Sequence, residues 1–112
     1  MSSFSEKGLL GELEQLVLLG VMHLEGAAHA PAIREAIETR TGIVLARGSI
    51  YVTLDRLDRK GYLTSRFGDP TAERGGKAKR IFTLTAEGRR ALTQAERVLA
   101  RMRGAVAPAR TR

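Results

Sequence analysis

Four cations, Arg74, Lys77, Lys79 and Arg80, fall within seven consecutive positions that contain no acid, and Gly75 and Gly76 sit between the first two. The chemistry open to such a cluster is charge pairing with a polyanion: phosphate oxygens, or the floor of a narrow minor groove, approached by a backbone that glycine lets turn tightly. Upstream lies a second set of a different kind, Arg47, Ser49, Tyr51, Val52, Thr53 and Arg56. These are small, apolar or hydrogen-bonding side chains with two arginines, the types that contact base edges and neighbouring phosphates of a duplex. Each set has a plainer reading. The first alone is equally a solvated hairpin tip, and the second alone is the polar side of an amphipathic surface helix. What separates the readings is the order of elements that would carry the residues.

The second set belongs to a segment with punctuation at both ends. Ser49 is a candidate N-cap, whose hydroxyl can accept from a first-turn amide, and Gly61 is the residue best able to take the left-handed conformation that closes a helix. Between them Ile50, Leu54 and Leu57 recur at i, i+4 and i+7, one apolar stripe for a core, which leaves Ser49, Val52, Thr53 and Arg56 outward. A strand-like run follows from Tyr62 to Phe67. Next come Gly68 to Lys79, twelve residues without a large apolar side chain, and a second strand-like run from Arg80 to Leu84. Helix, strand, basic loop, strand is the order of a winged helix, with the arginine-bearing helix as reader and the loop as wing.

The flanking segments supply the rest of the core. Leu9 to Leu24 is apolar on almost every side, so the pattern predicts a helix buried all round, one row (Leu9, Leu13, Leu16) facing its own domain or a partner and the other (Leu10, Val17, Val21, Leu24) facing the opposite way. A helix from Pro31 to about Arg40 is opened by proline and closed by Gly42, with Ala32, Ile33, Ala36 and Ile37 inward. Its outward side, Arg34, Glu35 and Glu38, reads as an ordinary solvated face. Ile43 to Leu45 is long enough for a short strand against the wing. Thr85 caps a final helix to about Arg103. There Leu92, Ala95, Leu99, Met102 and Val106 recur at spacings of 3, 4, 3 and 4, a heptad-like seam that a finished small domain has little left to cover. The spacing predicts a homodimer through this seam together with Leu10, Val17 and Val21 of the first long helix. The division expected is a winged helix-turn-helix over 1–84, a dimerisation helix over 85–106 and a disordered basic tail over 107–112. The fold class is mainly α with a small β-wing.

Composition narrows the function. With 112 residues the chain makes one domain, small enough that a second copy would be a useful source of buried surface. There is no cysteine, which excludes disulfides, thiolate metal sites and a cysteine nucleophile, and His23 and His29 are too few for a zinc site without carboxylates. No cofactor and no metal are expected. The formal charge of +7 is unevenly spread: residues 1–46 carry a net −3, residues 47–80 a net +5 and residues 81–112 a net +5. The basic excess begins where the reading helix begins, so double-stranded DNA is the expected partner, ahead of an anionic membrane. No apolar run approaches the ~18 residues of a membrane span, and the N-terminus lacks a signal-peptide pattern, so a cytoplasmic location is expected.

The Arg47-Gly-Ser-Ile-Tyr turn, Leu54-Asp-Arg-Leu-Asp-Arg-Lys-Gly-Tyr-Leu63, the Gly-Gly-Lys-Ala-Lys-Arg wing and Phe82-Thr-Leu-Thr-Ala-Glu-Gly88 together resemble the PadR-like family of bacterial winged-helix transcriptional regulators, over residues 9 to about 103. The resemblance implies a nucleoid-associated homodimer that binds an operator and usually represses, in some members released by a small molecule, with the C-terminal helix supplying the dimer contact. The short C-terminal part is similar to the subgroup with a single dimerisation helix, and the chain looks closest to members associated with permease operons. Ala30-Pro31 stands where the family usually has Gly-Tyr, and Val52 where it usually has proline. Some members sandwich aromatic drugs between interface tryptophans, whereas this chain has no Trp, so a small apolar effector would meet an aliphatic dimer core. Enzymes are disfavoured by the lack of any nucleophile–base spacing or phosphate-binding glycine fingerprint. The remaining alternative is a winged-helix protein-interaction module without specific DNA binding. Four cations in seven wing positions weigh against it.

Overall fold

Acid at the start and an unbroken apolar middle set the first helix, α1, Glu12–Leu24. In the computed structural model, which describes residues 8–68 and 78–105, Gly11 is its N-cap, and the Glu14 carboxylate turns back to accept from the Gly11 amide at 2.9 Å. Helix α2, Ala30–Thr41, carries Pro31 near its start and closes on Gly42, whose φ of 79° only glycine adopts cheaply. Helix α3 spans Arg47–Arg59, and Gly61, at φ 82°, turns the chain out of it. The hairpin of β1, Leu63–Phe67, and β2, Arg80–Leu84, is antiparallel, with Leu63 opposite Leu84 and Phe67 opposite Arg80. Helix α4, Ala86–Arg103, completes the order. The architecture is mainly helical with a two-stranded wing.

One core joins these elements. Val17, Leu18 and Val21 of α1, Ile33 and Ile37 of α2, Ile50, Leu54 and Leu57 of α3, and Leu63 and Phe82 of the hairpin are buried together. Gly20 sets the α1–α2 spacing, because a Cβ there would stand 3.2 Å from Ile33 Cγ2. Only the first half of α4 joins the core, through Leu92 and Ala95; Leu99 and Met102 are 63% and 82% exposed. Its N-terminus is stitched to the end of α3. The Thr85 hydroxyl donates to the Gly61 carbonyl at 2.7 Å and accepts from the Gly88 amide at 2.9 Å, while the Thr85 amide donates to the Tyr62 carbonyl at 3.1 Å.

Three local expectations are corrected. Ser49 does not cap α3: the N-cap is Ala46, without a side-chain bond, and Ser49 lies inside the first turn with its amide on the Ala46 carbonyl. The segment 43–45 forms no strand with the wing. Side chains have taken its backbone groups, since Arg34 Nε donates to the Leu45 carbonyl at 2.6 Å and the Ile43 amide donates to Thr41 Oγ1 at 3.1 Å. The free edge of β2 is met instead by the α1–α2 connection, where the Ala28 carbonyl accepts from the Phe82 amide at 2.8 Å. Finally, α1 is not buried on all sides: Leu9, ahead of it, is exposed, and Leu13, Leu16 and Leu19 are half-buried.

Candidate nucleic-acid interface

The phase of α3 decides what it can present. Its buried stripe is Ile50, Thr53, Leu54 and Leu57, so the opposite side consists of Gly48, Val52, Asp55 and Arg59, flanked by Arg47, Tyr51 and Arg56, all exposed. Thr53 therefore leaves the outward face to which sequence spacing assigned it: at 3% exposure it is part of the inner stripe, beside a shallow groove that also touches Leu13 of α1 and Ser49. The cause is helical geometry, because i+3 from Ile50 lies on the same side as i+4 and i+7. Ser49 is half-buried at the edge of that groove. Asp55 and Arg59, neither of them among the expected DNA contacts, stand in the middle of the exposed side. The signal was available in the same arithmetic, since they lie seven and eleven residues beyond Gly48.

The start of α3 is built against the start of α2. A cleft of about 180 Å³ between them is lined by Ala30, Pro31, Arg34, Arg47, Ile50 and Tyr51. Arg34, read from sequence as solvated, in fact fastens the turn between the two helices through the Leu45 carbonyl. With Ala46 lacking a capping side chain, the first-turn amides of α3 and the Arg47 guanidinium lie at one exposed helix N-terminus, a placement that favours phosphate.

The base of the wing adjoins the same face. A second cleft is lined by Tyr51 and Asp55 of α3, by Lys79, Arg80 and Phe82, and by His29 and Pro31 at the start of α2. Arg80 is the fastening. Its Nη2 donates to Asp58 at 2.8 Å and its Nε to the Ser65 hydroxyl at 3.0 Å, Nη1 stands 3.5 Å from Asp55, and the guanidinium lies 4.8 Å from the centre of the Phe82 ring. Arg80 is thus committed to protein partners, and sequence reasoning, which placed it among the phosphate-binding cations, missed the two aspartates waiting for it on α3. Lys79 is exposed. Arg74 and Lys77, with the rest of the loop tip, lie outside the described residues.

Under this face, Lys60 donates to Glu14 at 2.8 Å and ties the end of α3 to α1. Burial pushes the Glu14 carboxyl up, but the bonds from Lys60 and the Gly11 amide, with the charges of Lys60 and Arg56, outweigh it and hold the group below the ordinary glutamate value. Of the residues expected at a dimer contact, Leu10, Val17, Val21, Leu92 and Ala95 are buried inside their own chain, so they belong to its core. Leu99 and Met102 are open to solvent, and Val106 lies outside the described residues. Among the described residues no three His, Cys, Asp or Glu side chains converge as a metal site.

The geometry is that of a winged helix-turn-helix, and the sequence places it within a family. Residues 18–94 match the transcriptional regulator PadR-like family. The chain belongs to that family, whose members are transcription regulators rather than enzymes. The fold is shared with a PadR-like transcription factor from Bacteroides fragilis, at 22% identity, TM-score 0.70, and coverage of 84% of this chain and 85% of that one. A transcriptional regulator from Clostridium thermocellum is similar at 18% identity and TM-score 0.69, covering 81% of this chain and 85% of the other. The ORC1 protein of Aeropyrum pernix, solved in complex with DNA, is similar at 26% identity and TM-score 0.61, over 83% of this chain and 26% of that one. No curated protein matches the chain. No helix among the described residues is long and apolar enough to cross a membrane.

Proposed function

We propose that the protein is a homodimeric transcriptional repressor that binds an inverted-repeat operator, with α3 in the major groove and the wing on the flanking backbone. The observation that carries this reading is the exposed side of α3: Arg47, Tyr51, Val52 and Arg56 face away from the core, at an uncapped helix start and beside the base of a basic wing. Arg56 and Val52 read bases, Arg47 and Tyr51 hold phosphates beside them, and Arg74, Lys77 and Lys79 extend the backbone contact. Ser49 and Thr53 act on the helix from behind, as packing.

The second copy would cover the distal half of α4. Leu99 and Met102 project beyond the core on the side that Leu92 and Ala95 bury, and Leu13, Leu16 and Leu19 of α1 are left half-covered. The working division is residues 1–84 for DNA binding, 85–106 for dimerisation and 107–112 as a tail. A small apolar effector entering this aliphatic dimer core would change the distance between the two reading helices and so release the operator. The protein would work in the bacterial cytoplasm, on the nucleoid. Footprinting on a selected site tests the reading: a two-fold symmetric footprint occupied by two chains supports it. A site lacking symmetry, or no site at all, returns the chain to the alternative of a winged-helix interaction module.

A further inference from the structure

The carboxylate of Asp55 stands where a DNA-reading surface would not be expected to carry negative charge. Gly48, Val52, Asp55 and Arg59, at i, i+4, i+7 and i+11, form the line opposite the buried stripe of Ile50, Thr53, Leu54 and Leu57. Asp55 is inside that line, its side chain 57% exposed. One turn before it Val52 is exposed, and Gly48 has nothing within 4 Å of the position a Cβ would take. Among the described residues nothing on this line prevents close approach to another surface. A carboxylate brought there to a polyanion is repelled unless it finds a hydrogen-bond donor.

We infer that Asp55 is a specificity-determining residue, accepting the exocyclic amino group of one cytosine in the major groove of each half-site. This rests on the DNA-regulator reading given above and adds to it the base that the centre of α3 selects. Two amino groups are offered in the major groove, on cytosine and on adenine. Adenine presents its N7 acceptor beside the amino group, which opposes a carboxylate, and guanine presents acceptors alone on its edge. Cytosine is left as the base that a carboxylate favours.

The surroundings of Asp55 fit this role better than a structural one. Among the described residues its protein contact is to Arg80 Nη1, at 3.5 Å, the longest of the polar contacts found there for that guanidinium. Arg80 is already held by Asp58 at 2.8 Å and by Ser65 at 3.0 Å, and it lies over Phe82. Asp55 can therefore turn to a base without leaving Arg80 unpartnered, and the guanidinium behind it lowers the cost of bringing a carboxylate near phosphates. A residue needed to hold the wing would make the short bond, which Asp58 makes instead.

The test is selection of bound duplexes from a random pool by the full chain, by Asp55→Asn and by Asp55→Ala, followed by Kd measurements on the selected sites. The wild-type motif is expected to hold a fixed C·G pair in each half-site. Asp55→Asn should move that one position to A·T, since an amide can bond adenine N6 and N7 together, with discrimination reversed by about tenfold or more. Asp55→Ala should leave the position degenerate and the others unchanged. If all three proteins select the same base at every position, or Asp55→Asn only tightens binding to all sequences alike, Asp55 reads nothing and the inference is overturned while the regulator reading stands. If the wild type selects no motif, the regulator reading fails and the inference with it. Asparagine is nearly isosteric with aspartate, so that variant carries the test even where Asp55→Ala does not fold.

Discussion

Replacing Gly88 by alanine should destabilise the protein, although alanine is the better helix former. Gly88 lies in the first turn of α4 and is buried. A Cβ there would fall well inside contact distance of the Tyr62 carbonyl oxygen, 2.8 Å from Leu84 Cδ1 and 3.0 Å from the Tyr62 carbonyl carbon. The Leu84 methyl can rotate aside, but the Tyr62 carbonyl cannot, because it accepts from the Thr85 amide at 3.1 Å and belongs to the turn joining α3 to β1. Helix α4 would have to lift off. Overpacking of this kind costs about 1–3 kcal/mol, with rigid backbone placing it toward the upper figure. Against it stands the gain of roughly 0.8–1 kcal/mol for alanine over glycine in a helix. The clash wins by about 2 kcal/mol, a fall in Tm of about 8 °C for a domain of this size. Gly48→Ala is the control, since nothing lies within 4 Å of its Cβ position and it is exposed in α3. There the propensity gain stands alone, and stability should hold or rise by up to about 1 kcal/mol. Urea and thermal unfolding of both variants read the difference. A Gly88→Ala protein as stable as the wild type would refute the close approach of α4 to the α3–β1 turn.

Three further perturbations address the ion pair, the proposed dimer contact on α4 and the wing. Lys60→Met should lower stability at neutral pH, because Glu14 keeps its charge with one partner gone; Glu14 titrates below its unfolded value in the folded wild type, so its contribution is present above the ordinary glutamate range and lost as pH falls through the folded value. Stability curves of the two proteins should therefore converge in acid, and a deficit independent of pH would show that the pair is not its source. Leu99→Lys with Met102→Lys should yield monomers by sedimentation with the fold kept, since both side chains lie outside the protomer core; an unaltered dimer would move the interface elsewhere. Arg74→Ala, Lys77→Ala and Lys79→Ala should each weaken binding to all duplexes and flatten the salt dependence, by a slope of about 1 for every phosphate that is no longer neutralised. Weakening confined to the selected site would make them base readers instead.

Much of the fold was legible because its signals are local. Gly42 and Gly61 mark helix ends by a left-handed conformation that only glycine takes cheaply, Thr85 caps α4 through its own hydroxyl, and the strand-like run Arg80–Leu84 forms β2 at the bounds its pattern gives. What was not legible depends on side chains from distant parts of the chain. Arg80 reads as one more wing cation until Asp58 of α3 stands 2.8 Å from it, and Arg34 reads as solvated until the 43–45 turn folds under it. The failed strand at 43–45 has the same cause, since Thr41 and Arg34 satisfy backbone groups that a strand would have used. Thr53 was misplaced for another reason. Its polar type argued for the surface, while its position three residues after Ile50 put it inside. The heptad-like seam expected along α4 is divided in the structure: Leu92 and Ala95 are buried within their own chain, and the exposed remainder begins at Leu99.

In the function proposed above, two copies of α3 read one two-fold operator. It is tested most directly by selecting bound duplexes from a random pool and measuring the stoichiometry and protection pattern on the selected site. The expected result is an inverted repeat whose half-site centres lie about 34 Å apart, or a small multiple of that, protected by two chains. A selected site without two-fold symmetry, or saturation by a single chain, would contradict it.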